Sequence, residues 1–380
     1  MRPESEAEVA DIIRAAREPL SIVGGGTRLR RSGRRGTPLS TKALTGISLY
    51  EPAALTLIAR AGTPLAEIEA ALAAEKQRLP FEPPNPADAP VGGALLAMID
   101  EDPADFAIPR DASTIGGVIA MNASGPRRVQ AGAARDSLIG VRFVDGNGDA
   151  ITSGGRVMKN VTGYDLVKLM AGSRGTLGVL TEVSIKTQPI PPASVTLHLP
   201  CRAADAIAPL TAALTGPWDV SGAAWLPGPG ILLRLEGLPN SVALRAGTLT
   251  ARLAPFGAAV ALEGAEADAA WRRVGTLSAG WGLEAAGMVE GSAWRVVCRP
   301  SQARDLLADS DGQPLCMDWG GGLLVLGMGG SATPRIPPGA LARRLTGRPT
   351  ELPAPDPVTA GLNEGLRARF DPRGIFARTV

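Results

Sequence analysis

The chain has 380 residues, a formal net charge of +2, three cysteines and one histidine. That length supports two or three domains with substantial cores, and the near-balanced charge speaks against nucleic acid as a partner, since a duplex binder shows a basic face or stripe. Cys201, Cys298 and Cys316 lie too far apart for an iron–sulfur cluster or a secreted disulfide scaffold, and His198 alone gives no partner at metal-ligand spacing, so no metal site is expected. No apolar run approaches the ~20 residues that span a bilayer, and the polar, acidic start at residues 4–11 is no signal peptide.

In chain order, a helix is predicted over 6–17, with Ser5 as its cap, Glu8 closing a capping box, and Val9, Ile12, Ile13 and Ala16 on one face. Residues 21–23 read as a short buried strand. Residues 55–60 alternate as a strand, after which Thr63 caps and Pro64 opens a helix to residue 75 with Leu65, Ile68 and Leu72 inward. The Pro-rich 81–90 is a loop and closes a first α+β lobe. A second lobe follows from residue 91. In it, Asp145-Gly146-Asn147-Gly148 signals a hairpin, 165–171 a short helix, and 179–186 a half-buried strand ended by Gln188-Pro189.

Residues 189–192 mark a boundary. Beyond it, strands at 194–199, 220–225, 231–236 and 258–262 alternate with helices at 203–214 and 242–253, the β-α-β-β-α-β order of a ferredoxin-like unit. Helices at 268–277 and 302–308 and strands at 295–298 and 323–326 are expected to complete a second cap layer. The six tryptophans (218, 225, 271, 281, 294 and 319) fall in this region and read as core or subunit-interface residues, with a substrate cage as the other reading. His198 reads as a structural strand residue. Residues 331–357 are loop-like, and a helix over 358–370, with Leu362, Leu366 and Phe370 aligned, is expected to return to the first domain.

The chemistry concentrates in glycine clusters at element ends. Gly24, Gly25, Gly26 and Thr27 follow the strand at 21–23, and three residues without side chains free their N–H groups to curl around an anion such as a diphosphate. The Rossmann pattern fails because its third glycine would fall on Leu29, and no lysine follows a glycine as a Walker A loop requires. A ligand-free turn remains the alternative for this triplet by itself. Arg28, Arg30, Arg31, Arg34 and Arg35 come next and are expected to be a solvated run, with phosphate or partner contact as the other reading. Further clusters stand at Ser113-Thr114-Ile115-Gly116-Gly117, Asn122-Ala123-Ser124-Gly125 and residues 172–181.

These ordered motifs resemble the FAD-binding domain of the p-cresol methylhydroxylase (PCMH) and vanillyl-alcohol oxidase superfamily. Within it, residues 124–128, 132–136 and 157–166 resemble the smaller flavin subunit of bacterial glycolate oxidases. The likeness covers the first half of the chain and returns weakly at 370–376, where Ala377-Arg378 replaces the Asn-Pro-Gly frequent in relatives.

The resemblance implies an α+β fold: a two-lobed PCMH-type FAD-binding domain over 1–190 (lobes 1–90 and 91–190), a ferredoxin-like α+β cap over 193–330, and a C-terminal segment, 331–380, returning to the FAD domain. It implies diphosphate donors at residues 24–27 and 113–117, a flavin-ring slot at Asn122, Ala123, Ser124 and Gly125, and adenine contacts at Gly178 and Val179. Lys159, Arg127 and Arg128 are available cations for the reduced ring. Tyr164 and Asp165 read as loop-shaping. With Thr27 where other relatives carry a linking histidine or cysteine, the FAD is expected to be noncovalent.

Missing from the chain are the histidine base of hydroxy-acid oxidation and the cysteines of a cluster. The implied activity is therefore that of an oxidoreductase subunit inactive by itself. A larger FAD-containing subunit and an iron–sulfur subunit would take glycolate to glyoxylate and carry the electrons. The expected location is the cytoplasm, with any place at the inner membrane taken through the complex. A stand-alone dehydrogenase of another small hydroxy acid or alcohol, and a structural subunit without flavin, remain the alternatives.

Overall fold

The computed structural model of the chain describes residues 1–28, 36–89, 110–155, 164–283, 291–309, 312–330, 332–346 and 356–377. The first helix forms as α1 (Glu6–Ala15), where Ser5 Oγ accepts the Glu8 amide at 3.2 Å and the Glu8 carboxylate accepts the Glu4 amide at 3.0 Å. Donors left over at a helix start are thereby satisfied. Its Val9 and Ile13 pack with Leu20, Leu39, Ile375 and Phe376 in a small core of their own. Here β1 (Leu20–Val23) runs parallel to β2 (Thr37–Ser40), a strand too short, and interrupted by Pro38, to show a period in the sequence.

The larger part of the first domain is an antiparallel sheet of β3 (Ile47–Glu51), β4 (Thr56–Arg60), β6 (Leu138–Val144), β7 (Ala150–Gly154) and β8 (Val179–Lys186) in the order β3-β4-β8-β6-β7. The short strands β5 (Gln77–Arg78) and β9 (Gln188–Pro189) pair separately. Onto the sheet pack α2 (Leu65–Ala74) and α3 (Ile115–Ala120), which bury Leu65, Ile68, Ile115, Val118 and Ile119 against Leu57, Val141 and Val183. Short helices α4 (Arg128–Ala131), α5 (Ala134–Ser137) and α6 (Leu166–Met170) complete the domain. Thr63 does not cap α2. Its hydroxyl donates to Arg60 O at 2.7 Å and accepts the Gly46 amide at 3.0 Å, tying the end of β4 to a neighbouring turn. The hairpin between β6 and β7 forms as read, with Asp145 Oδ1 accepting the amides of Asn147 and Asp149, each at 2.9 Å.

In the second domain, β10 (Ala193–Leu199), α7 (Ile207–Leu214), β11 (Val220–Leu226), β12 (Gly230–Gly237), α8 (Pro239–Leu253) and β13 (Val260–Leu262) give the spatial order β13-β10-β12-β11. That is the ferredoxin-like arrangement. After α9 (Gly264–Ala279), the elements β14 (Ser292–Val297), α10 (Pro300–Asp309), β15 (Gln313–Asp318), β16 (Leu323–Met328) and β17 (Leu341–Arg344) repeat it as β15-β16-β14-β17. Pairing of β11 with β15 through Trp225 and Met317 fuses the halves into one eight-stranded sheet, so the second set extends the first instead of covering it. The segment from 331 returns only in part, because β17 first joins the cap sheet beside β14. Then α11 (Pro357–Phe370) brings Phe370 to within 6.1 Å of the Phe143 ring, and Phe376 bridges to Leu20. Leu362 and Leu366, expected to dock with Phe370, remain exposed.

Helices α7, α8 and α10 cover one face of the cap sheet through Leu210, Leu249 and Leu306, while α9 covers the other through Trp271, Val274 and Leu277. On that second face Gly275 sits against Pro84 and Pro126 of the first domain. A buried ion network closes the seam. Glu236 of β12 pairs with Arg127 and, at 2.7 Å, with Arg78, while Arg234 reaches both oxygens of Glu82, at 2.8 and 2.7 Å. Arg127 also donates through Nε to Pro80 O at 3.2 Å and through Nη2 to Gln130 at 3.0 Å.

Glu236→Gln leaves two guanidinium groups facing one neutral acceptor, and breaking a buried pair in this way costs about 3 kcal/mol. The urea midpoint of the variant should fall accordingly. Burial alone would push the Glu82 carboxyl up, but Arg234, Arg127 and Arg78 outweigh it and hold it below the ordinary glutamate range. A lowered folded-state pKa contributes stability that is complete above the unfolded value of ~4.3 and is lost as pH falls through the folded one. Stability should therefore drop in acid, and Glu82→Gln should flatten that limb of the midpoint-against-pH curve.

Candidate functional site

The loop after β1 lies against the turn that starts α3, and glycine makes the approach possible. A Cβ on Gly25 would stand 1.6 Å from Ala112 O, one on Gly24 would stand 2.5 Å from Thr114 Oγ1, and Gly26 has φ +75°. Thr114 joins the two segments: its hydroxyl accepts the Gly25 amide at 3.3 Å and the Gly117 amide at 3.4 Å. Gly116 brings α3 onto the end of β4, since a Cβ there would meet the Ala61 carbonyl oxygen at 2.7 Å. The strand β8 enters from the third side behind Gly175 and Gly178.

Between these three segments runs a cleft lined by residues 24–28, by Thr114, Gly116, Gly117, Ala120 and Met121, and by Arg174, Gly175 and Gly178, with Ile22, Ala61 and Leu180 as apolar contacts. Arg28 is not part of a solvated run. Its Nη1 donates to Ser113 Oγ at 2.6 Å, its Nη2 donates to Pro84 O at 2.7 Å, and its guanidinium lies 5.4 Å from the Trp281 ring of the cap. Burial lowers its pKa to about 10, with Glu69 opposing. Arg30, Arg31, Arg34 and Arg35 lie outside the described residues, as does Lys159.

Of the residues singled out in the sequence, Gly24, Gly25, Gly26, Thr27, Thr114, Gly116, Gly117 and Gly178 meet at the cleft. Ser113 is buried behind it and holds Arg28. Ile115 and Val179 send their side chains into hydrophobic cores. Asn122, Ala123, Ser124 and Gly125 form a tight turn next to the cleft. There Asn122, at φ +47°, accepts the Arg135 amide at 3.0 Å, and Ser124 Oγ accepts the Ala134 amide at 2.9 Å. Arg127, read as a cation for the flavin, is 1% exposed and belongs to the ion network of the seam, turned to it by Glu236. Tyr164 is 92% exposed, and Asp165 caps α6 by accepting the Lys168 amide at 3.1 Å. Sequence reasoning did not single out Ala61, Met121 or Arg174 as lining residues. Ala61 and Met121 look like ordinary strand-end and helix-end residues, and only the packing of α3 against β4 turns them to the cleft.

The cleft suits a long, polar dinucleotide with a flat apolar end. The glycine backbone lines one part of it, aliphatic side chains another, and the buried Arg28 Nε has no hydrogen-bond partner among the described residues. No histidine or cysteine lines it among those residues, nor could any group of three or more His, Cys, Asp and Glu side chains hold a metal. His198 lies in β10 between Leu232 and Val260, and burial pushes the Cys298 thiol up to about 11.

Residues 1–99 and 103–154 match the family of FAD binding domains. Over 350 residues the chain is 33% identical to glycolate oxidase subunit GlcE of Escherichia coli (strain K12), covering 90% of this chain and 86% of that one. A stretch of 85 residues is 48% identical to glycolate oxidase subunit GlcD of Bacillus subtilis (strain 168), 22% of this chain and 18% of that one. A solved alkyldihydroxyacetonephosphate synthase shares the fold with a TM-score of 0.62 at 15% identity, over 99% of this chain and 75% of its own. The architecture is thus a PCMH-type FAD-binding domain carrying an α+β cap. The chain belongs to the family of glycolate oxidase subunit GlcE, and its first domain is an FAD-binding domain.

Proposed function

We propose that this chain is the smaller flavin subunit of a glycolate oxidase complex and holds FAD noncovalently in the glycine-lined cleft. The observation that carries the reading is the convergence on that cleft of three glycine-rich segments far apart in sequence, at residues 24–27, 114–117 and 175–178. Bound FAD supplies a two-electron acceptor. The amides of Gly24, Gly26 and Thr27 would serve the diphosphate, those of Gly25, Ile115, Gly116 and Gly117 being bonded within the protein, Arg28 would add a buried positive charge beside them, and Gly178 would stand at the adenine half. The turn at residues 122–125 bounds the flavin end. Lys159 and Arg128 remain the candidate cations for the reduced ring.

Glycolate oxidation needs a group to take the hydroxyl proton, and among the described residues no histidine lines the cleft. The larger flavin subunit would carry that base, and an iron–sulfur subunit would take the electrons onward. Among the described residues no helix is long and apolar enough to cross a membrane, so any place at the inner membrane would come through those partners.

Gly25→Asp is expected to yield soluble protein with at least tenfold less flavin. Even a Cβ at that position meets Ala112 O, and the carboxylate adds charge where the diphosphate lies. Unchanged flavin content would remove the diphosphate assignment. Acid precipitation should release the yellow chromophore into the supernatant, and colour retained in the pellet would show a covalent link. Under anaerobic conditions glycolate should leave the oxidised flavin band of the isolated chain in place and bleach it only when both partner subunits are present. Rapid bleaching of the isolated chain would overturn the dependence on partners, and no bleaching in the full complex would exclude glycolate.

A further inference from the structure

A second charged cluster occupies the seam near the turn at residues 122–125. Trp319 follows β15 at φ +55°, a backbone conformation that side chains rarely adopt, and fully buried Asp318 holds it there. Asp318 Oδ1 accepts the Trp319 amide at 2.7 Å and Oδ2 accepts Ser278 Oγ at 3.0 Å. The indole Nε1 donates to Gly125 O at 3.1 Å, which fixes the ring to the first domain. Around that ring stand Arg128, with its guanidinium 4.3 Å from the centroid, and Arg295 of β14, at 5.2 Å.

The charges there are not balanced. Burial, reinforced by Arg343, Arg128 and the cleft-lining Arg174, lowers Arg295 to about 9. Arg128, Arg174 and Arg295 form no ion pair with a carboxylate among the described residues. Two acids act on these arginines among the described residues: Asp136, which acts on Arg128 and accepts the Ala133 amide at 2.8 Å, and Asp318, which is itself raised to about 7, chiefly by burial, and has both oxygens occupied. Like charges gathered at a half-buried place repel one another until an anion joins them. The planar guanidinium fork matches a carboxylate, and the indole offers a flat wall beside it.

We propose that Arg128 and Arg295, from the two domains, bind the carboxylate of a small 2-hydroxy or 2-oxo acid against Trp319, and that this chain holds the acid without oxidising it. Arg128 comes from α4 and Arg295 from the cap sheet, so the site exists only while the seam is closed. Among the described residues the carboxyl next to Trp319, Asp318, is sealed from the acid by burial and by its two hydrogen bonds, so it offers no base there. The proposal rests on the glycolate oxidase reading for the identity of the acid, whereas the carboxylate site stands on the arginines.

The test is calorimetric titration of the full, flavin-loaded chain with oxalate and with glyoxylate at constant ionic strength, with ethylene glycol as the neutral control and flavin difference spectra as a second readout. Wild type should bind oxalate saturably and ignore ethylene glycol. Arg128→Gln and Arg295→Gln should each weaken oxalate by about tenfold or more, the effect of losing one charge-assisted contact. Arg128→Lys, which keeps the charge and loses the fork, should fall between. Arg128→Gln also removes the stacking of Arg128 on Trp319, so the urea midpoint and flavin content of each variant are measured beside its oxalate affinity, and Arg128→Lys, which keeps a cation there, is the control for folding. Absence of saturable binding in wild type, or equal binding in both Gln variants, overturns the site. Arginine-dependent oxalate binding together with no glycolate bleaching in the full complex would sink the glycolate reading and leave the site standing. The reverse pattern would sink the site alone.

Discussion

Two carboxylates, Glu236 in the cap sheet and Glu82 in the loop after β5, face Arg78, Arg127 and Arg234 across a largely buried seam. Taking such groups out of water costs more than their attraction returns unless nearly every donor and acceptor is also hydrogen-bonded. Arg127 meets that condition, because Pro80, Gln130, Gln188 and Glu236 together take its guanidinium donors. An ion network of this kind tolerates little sliding, since a shift of the cap would strand several donors at once. Its main consequence is geometric: the cap is held in one register over the first domain, and everything built at the seam inherits that register.

The cleft depends on a different constraint, the absence of side chains. Gly24 and Gly25 press a loop onto the 112–114 turn, and Gly116 presses α3 onto β4, at separations no Cβ could occupy. The backbone is thereby brought to the surface of the cleft, with the amides of Gly25, Gly116 and Gly117 fixing its walls through Thr114 Oγ1 and Ala61 O. Arg28 is the exception among glycines, a long cation folded back between Ser113, Pro84 and Trp281. It connects the 24–27 loop to the cap, so the two domains meet at that end of the cleft as well as at Trp319.

Three tryptophans, Trp225, Trp271 and Trp294, are buried in the cap, as expected of large aromatic side chains. Trp281 and Trp319 serve otherwise, each lying against an arginine of the first domain. Arginine stacking on indole suits a seam that is neither dry nor exposed, because the cation keeps part of its hydration while the ring covers its flat face. A chain with a glycine-lined cleft and a cation-rich seam, and with no histidine lining that cleft among the described residues, is organised for holding ligands.

What the sequence by itself determined was local. Periodicity and capping residues located α1 at Ser5, the hairpin at Asp145 to Gly148, the strand β8 and the first ferredoxin-like half, because each is specified by neighbours a few residues apart. The glycine clusters of the cleft were legible for the same reason, since a residue without a Cβ is conspicuous wherever it stands. Tertiary structure decided the rest. It joined the two cap halves into one sheet through β15, a central strand that Pro314 disguises, and it sent β17 to the cap before the chain returned. It also assigned the arginines, which no local pattern distinguishes: Arg127 to Glu236, Arg28 to Ser113 and Trp281, and Arg128 to Trp319. A guanidinium on a long, flexible stem takes its role from whatever charge or ring the fold brings within reach, and those partners lie tens to hundreds of residues away along the chain.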